Sequence, residues 1–318
     1  MAGSVLNPGS VLKSRYKIEK VIYEGSRVNI YYGIDMHMPG KFWAVREMQI
    51  GAGSPAERAS LTNKFLKEAA SLSLISHPAA AKVIDFFSEG EYIYIVREFI
   101  PGTDLSSLME TRGEPFSEEQ AVNWGLQLAD FFHYLSQKKF PPVFYKEFNM
   151  GNLLVNQKSE LKLTDFGLAR IFYGDTGLGN IAHLGACEYA APEQYAEHPS
   201  FDMRSLVYIL GAFLYHAVTN VIPSPDPREF RSVKFYNPSI SPALGGIIKK
   251  AIDPSPSRRY QSLNEMKRHL ASCLQANKGK SRGEYSLDGG NAGNAIFVTL
   301  AAVLLCLIGF IAYYFFLR

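Results

Sequence analysis

Two side chains at the outer end of a strand-like hairpin are the first candidates for chemistry. Leu153-Leu154-Val155 and Leu161-Lys162-Leu163 read as short strands, and Gln157-Lys158-Ser159 makes the tight turn between them. Asn152 and Asp165 then stand at the open end, where both side chains can converge on one metal ion. Their oxygens suit Mg²⁺, which takes one or two protein groups and completes its shell with phosphate oxygens and water. The alternative is structural, with Asp165-Phe166-Gly167 a strand-ending turn that packs Phe166 in the core.

The hairpin needs elements on both sides of it in the chain. Three strand runs come first, YKIEKVIY, VNIYYGID and KFWAVREM, separated by Gly25-Ser26 and by Met38-Pro39-Gly40. Residues 57–75 carry Phe65, Ala69, Leu72 and Ile75 at helical spacing. Two more strands, Lys82–Phe87 and Tyr92–Phe99, complete a small antiparallel sheet with one helix, and Pro101-Gly102 breaks the chain. Beyond Thr103 the pattern is helical. Ala121, Trp124, Leu128, Phe131 and Leu135 mark one long helix, and Ser205–Thr219, apolar nearly all round, reads as a core helix. Helices near Ser241–Ile252 and Ser262–Gln275 close the domain.

With 318 residues, 47% of them hydrophobic, the chain buries a sizeable core without staples. A formal charge of +3 and the lack of an aromatic-studded basic run argue against nucleic acid as a partner. Cys187, Cys273 and Cys306 are far apart, odd in number and without metal-ligand spacing, which fits a reducing compartment. The N-terminus, MAGSVLNPGSVLKSRYK, has no apolar run, so no secretory signal peptide is expected.

The C-terminus differs. Ala295–Leu317 is apolar and uncharged, roughly 35 Å long as a helix against about 30 Å of hydrocarbon. Lys278, Lys280 and Arg282 precede it, so the positive-inside rule keeps the N-terminal bulk in the cytoplasm. The expectation is a single-pass, membrane-anchored protein with its globular part cytoplasmic.

YKEFNMGN followed by TDFG resembles the catalytic and metal-binding loops of the protein kinases, there HRDLxxxN and DFG. The chain as a whole is similar to a bacterial eukaryote-like (Hanks-type) Ser/Thr kinase from about Tyr16 to Gln275. The resemblance is also carried by Glu68 in the small-lobe helix, His77-Pro78, Glu98-Phe99 at the hinge, Ala191-Pro192-Glu193 and Arg259. It implies an α+β, two-lobed protein-kinase fold with a C-terminal transmembrane helix. The domains expected are an N-terminal extension (1–15), a small lobe (16–99), a large lobe (103–275), a flexible linker (276–294) and the membrane helix (295–317). It also implies that Glu193 and Arg259 pair to brace the large lobe, and that Mg-ATP is the cofactor, held at Gly25, Arg46, Glu68, Glu98 and Phe99, with the metal on Asn152 and Asp165.

Several positions depart from the family pattern. The glycine-rich turn over the phosphates retains one glycine of three, with Tyr23, Gly25 and Val28 in the glycine places, so an ordinary β-turn is expected. The strand lysine is Arg46, whose planar fork is bulkier and differently directed than an ammonium; a bridge to Glu68 is the favoured reading. The His, Arg and Asp of the catalytic loop become Tyr145, Lys146 and Glu147, and its lysine becomes Asn149. A base must reach the substrate hydroxyl, so the extra methylene of Glu147 matters, and loss of a placed base costs about 10²–10⁴ in rate. The Asp and Ser of the core-helix DxYSLG pattern are Leu206 and Ile209, so the polar support of the loop becomes apolar packing. Arg97 falls where the family has an apolar gatekeeper, unless the register shifts by one and places Val96 there. In the activation segment the hydroxyl before the APE motif is Ala186, leaving Thr176.

These residues lead to a pseudokinase: a membrane-tethered signalling scaffold or allosteric partner that binds protein partners and ATP with degenerate catalytic motifs. The second reading is an active Ser/Thr kinase with Glu147 as base. The third makes the membrane helix the working part and the kinase fold a docking domain.

Overall fold

The computed structural model describes residues 5–26, 28–50, 53–137, 148, 150–164, 188–194, 196, 198, 200–224, 226 and 230–287, the last twelve as backbone only. The small lobe is a six-stranded antiparallel sheet. Its strands are β1 (Val11–Leu12), β2 (Tyr16–Glu24), β3 (Val28–Asp35), β4 (Phe42–Gln49), β5 (Val83–Glu89) and β6 (Tyr92–Glu98), in the order β1-β2-β3-β4-β6-β5. Helix α1 (Pro55–Ser73) starts where a capping box dictates. Ser54 caps the Glu57 amide, the Glu57 carboxylate returns to the Ser54 amide, and Pro55 occupies the first turn. Its buried stripe is Phe65, Ala69 and Leu72.

Register fixes what each sheet face carries, because directly opposed residues share a face. Tyr32 lies opposite Ala44, Ile30 opposite Arg46, Ala44 opposite Arg97 and Arg46 opposite Ile95. The opposite face carries Tyr31, Val45, Tyr94 and Val96, which form a second core with Leu12, Tyr16 and Ile18. Residues 5–15, expected as a plain extension, are part of this lobe. Val5 and Leu6 pack on that core, β1 pairs with β2, and the Leu6 amide donates to the Tyr31 hydroxyl at 3.1 Å. Their apolar residues are too few to read as an element, so only the packing reveals them.

Two carboxylates are sealed into this lobe, each with a full set of donors. Glu47 (1% exposed) accepts from Asn29 Nδ2 at 3.0 Å, Tyr31 Oη at 2.8 Å and Tyr94 Oη at 2.9 Å. Asp35 accepts from Arg15 Nε and Nη2, Trp43 Nε1 and the His37 amide. Buried charges without such partners cost several kcal/mol each.

Pro101-Gly102 does not simply break the chain. Gly102 opens β7 (Gly102–Asp104), which pairs with β8 (Leu153–Asn156), itself paired with β9 (Leu161–Leu163). A Cβ on Gly102 would lie 2.3 Å from the Val155 carbonyl oxygen, so only glycine permits this approach. Asp104 then caps α2 (Leu105–Arg112). Helix α3 (Glu118–Gln137) holds the β8–β9 turn from below: Trp124 Nε1 donates to the Ser159 carbonyl at 2.8 Å, and Gln127 accepts from the Leu161 amide at 2.9 Å. Helix α4 (Met203–Thr219) is buried from Ser205 to Thr219, as its all-round apolar sequence demands. The short α5 (Val233–Tyr236), α6 (Pro242–Ala251) and α7 (Leu263–Leu287) follow.

Helix α7 continues to Leu287, so residues 276–287 are helical where a flexible linker is expected. Ala276, Lys278, Lys280, Arg282 and Glu284 are good helix formers, and Gly279 and Gly283 between them do not end the helix. The apolar stretch 295–317 lies outside the described residues; among those, no helix is long and apolar enough to cross a membrane.

Candidate functional site

The open end of the β8–β9 hairpin sits where the two lobes meet. Leu163 joins the small lobe by backbone hydrogen bonds: its amide donates to Ala79 O at 2.8 Å, and its carbonyl accepts from Ala81 N at 2.9 Å. Ser76 N donates to Tyr134 Oη at 3.1 Å, and His77 Nε2 lies 3.5 Å from Asp130 Oδ2, tying the same segment to α3. Asn152 ends a 3-10 turn (Met150–Asn152) directly before β8. Its carbonyl receives both the Thr164 amide (2.9 Å) and the Thr164 hydroxyl (3.2 Å). Asn152 and Thr164 therefore face each other at the end of the hairpin, one residue from Asp165, which lies outside the described residues.

The sheet face above the hairpin carries Tyr32, Ala44, Arg46 and Arg97. Arg46 and Arg97 are each 7% exposed. The register puts Arg97 opposite Ala44 on this face, while Val96 opposes Val45 on the other. Arg97 Nη1 donates to the Thr164 carbonyl, reaching from the hinge strand to the hairpin end. Next along the chain, Glu98 accepts from the Lys82 amide at 3.3 Å and lies 4.0 Å from Lys162 Nζ. Phe99 stacks edge-on against Tyr32, ring centroids 4.7 Å apart. Glu68 is half-buried on α1, between the buried Phe65 and Ala69.

Gly25 closes the β2–β3 turn. Its amide donates to the Val28 carbonyl at 3.0 Å and to Asn29 Oδ1 at 3.3 Å, and a Cβ would meet the Tyr23 ring and the Val28 oxygen, each at 2.9 Å. The close approach of the Val28 carbonyl therefore favours glycine at this position in the hairpin.

Of the catalytic loop, Phe148 and Met150 are described, and both are buried. Phe148 meets Phe132, Tyr189 and Phe213 edge-on, with centroids 5.6–6.1 Å apart. Leu206 and Ile209, at the family's Asp and Ser positions, are 2% and 1% exposed. The described neighbours of Phe148 are thus aromatic. Glu147 and Asn149, the base and lysine positions, lie outside the described residues, as do Thr176 and Ala186.

In the large lobe, Glu193 and Arg259 form a bidentate pair at 2.7 and 2.8 Å. Arg259 also donates to the carbonyls of Asp253, Pro254 and Arg204, and its guanidinium lies 4.8 Å from the Tyr208 ring centre. Ser205 Oγ donates to Glu193 at 2.7 Å. Burial pushes Glu193 up, but the hydrogen bonds from Arg259 and Ser205 outweigh it and leave its pKa below the ordinary carboxylate value.

A curled antiparallel lobe and a helical lobe with a β-hairpin at their junction make the two-lobed protein-kinase fold. The protein kinase domain family matches residues 16–282, and the chain belongs to it, among the bacterial Hanks-type Ser/Thr kinases. It is 26% identical over 281 residues to the serine/threonine-protein kinase PrkC of Bacillus subtilis, an alignment covering 85% of this chain and 42% of PrkC. It is 26% identical over 278 residues to the serine/threonine-protein kinase PknB of Mycobacterium tuberculosis, covering 82% and 43%. The chain thus spans about two fifths of the length of these curated relatives. Among solved structures, the fold is similar to the Mycobacterium tuberculosis PknI kinase domain (TM-score 0.66, 18% identity, 84% of this chain and 99% of that one). It is also similar to the PpkA-294 apo form (TM-score 0.70, 22% identity, 84% and 100%).

Proposed function

We propose that this chain is a pseudokinase: a membrane-tethered, kinase-fold signalling protein that binds a metal–nucleotide in its cleft and transfers phosphate poorly. It would act as a scaffold or allosteric partner for other proteins. The observation that carries the reading is the burial of Leu206 and Ile209 where the family has Asp and Ser. That substitution comes with Tyr145, Glu147 and Asn149 in the loop they would support. Losing several members of one polar network together is nearly neutral for stability, while losing one leaves a buried group unpaired. The acid–base half has therefore been given up as a unit.

The nucleotide half keeps Asn152 and Asp165 as oxygen donors for Mg²⁺, whose role when bound would be to bridge and neutralise the phosphates. Asn152 is held by its carbonyl to Thr164, directly before β8. Arg46 keeps a positive charge on the cleft face and is read as a bridge to Glu68. Tethering rests on Ala295–Leu317 and the basic residues before it.

A second reading is an active Ser/Thr kinase with Glu147 as base. The relatives' names favour it, as does the intact Glu193–Arg259 brace. Thermal shift of the full chain in detergent with millimolar ATP, with and without Mg²⁺, tests the first reading. Binding raises the melting temperature by mass action, more so with the metal. No shift in either condition rules out nucleotide binding.

A further inference from the structure

Arg97 is out of place in a cleft of this kind. A guanidinium buried to 7% is costly unless its donors are used. Its neighbours across the sheet, Ala44 on β4 and Val83 on β5, offer it no side-chain acceptor. Its Nη1 instead crosses to the carbonyl of Thr164, at the end of the hairpin. The same residue gives its amide, at 2.9 Å, and its hydroxyl, at 3.2 Å, to the carbonyl of Asn152. Three residues are thus linked: the Arg97 guanidinium holds the carbonyl of Thr164, and Thr164 in turn holds the carbonyl of Asn152. The charged donor pins the Thr164 carbonyl more firmly than a neutral one would, and so restrains the residue whose amide and hydroxyl hold Asn152.

We propose that Arg97 is a positioning residue: through Thr164 it fixes Asn152, and so sets how well the cleft holds a divalent cation beside nucleotide phosphates. This rests on the reading of the cleft as a metal–nucleotide site. The backbone stitches at Leu163 already join the lobes. What Arg97 adds lies one residue further on, at the residue that bonds Asn152. A strut of fixed length from the hinge strand takes the place of an apolar contact that would leave the Thr164 carbonyl without a charged donor.

The test uses the full chain in detergent, with Arg97→Met, which keeps an unbranched stem without donors, and Arg97→Lys, which keeps the charge on a single point donor. Amide exchange is followed in the ligand-free protein across residues 150–164. The Mg²⁺ concentration giving half of the maximal ATP thermal shift is measured in parallel. In Arg97→Met the Thr164 amide exchanges on the order of 10-fold faster, the loss of one charge-assisted hydrogen bond. The Mg²⁺ requirement rises about as much, ATP affinity in EDTA is measured beside it so that the metal effect is read as a ratio of the two, and Arg97→Lys falls between.

Unchanged exchange in Arg97→Met overturns the strut. Faster exchange with an unchanged Mg²⁺ requirement also overturns the proposal, because Arg97 is then only a packing residue. A wild-type chain that binds no nucleotide contradicts the reading of the cleft instead. In that case the exchange data alone decide whether Arg97 fixes Thr164.

Discussion

Glu193 and Arg259 meet through two parallel hydrogen bonds of 2.7 and 2.8 Å, and the side chain of Arg259 has no exposed surface. A pair in this geometry braces the large lobe whether or not the protein performs chemistry, because both charges are spent on each other and on backbone carbonyls. Breaking it from one side leaves the other charge uncompensated. Arg259→Met is expected to destabilise by about 3–5 kcal/mol and to lower the melting temperature on the order of 10 °C. Differential scanning calorimetry measures it, and a change within 2 °C would show that the pair carries little.

Leu206 tests whether the loop's polar support has gone as a unit. If the surroundings are apolar throughout, Leu206→Asp buries a carboxylate with no donors and costs about 3 kcal/mol or more. If donors persist around it, the change is tolerated and phosphotransfer rises. Urea unfolding beside an activity assay separates the two outcomes.

Acid should weaken the fold in two stages. Burial holds His216 down at about 4, with its Nδ1 2.5 Å from the Tyr189 hydroxyl. The unfolded chain takes up that proton near 6.5, so the contribution is whole above 6.5 and is lost as pH falls toward 4. Hydrogen bonds from Arg15, and then from Trp43 and the His37 amide, hold Asp35 at about 2 against an ordinary 3.8. Its contribution is present above 3.8 and disappears as pH drops toward 2. Denaturant midpoints from pH 7 to pH 2 should show both steps. His216→Phe should lower the baseline but flatten the limb between 6.5 and 4; a limb that persists would assign it elsewhere.

Membrane tethering has its own test. The full chain should sediment with membranes and resist salt and alkaline extraction, while a chain ending at Leu287 should stay in the supernatant. Retention of the shortened chain on membranes would place the anchor outside 295–317.

Much of the scaffold is legible in the sequence because its periodicities are strong and local. The five longer small-lobe strands, the stripe of α1, the Trp124 helix and the apolar α4 all announce themselves. The N-terminal strand does not, since Val11–Leu12 is two residues long and has meaning only against Tyr16 and Tyr31. Nor does β7, whose Pro-Gly start looks like a break until Val155 is beside it. At the site, Arg97 was visible as a residue out of pattern, but its role needed the register with Ala44 and the reach to Thr164. The Glu193–Arg259 pair was legible only through the family resemblance, because its partners lie far apart in the chain.

On the proposed reading, the cleft keeps a metal–nucleotide end while the acid–base end has been given up. Phosphotransfer tests it most directly: the full chain in detergent with radiolabelled Mg-ATP and generic protein substrates, beside Glu147→Ala. Turnover should be lower by about 10²–10⁴ than for an intact catalytic loop, and unchanged in Glu147→Ala. Efficient labelling that disappears in Glu147→Ala would contradict it and establish Glu147 as the working base of an active kinase.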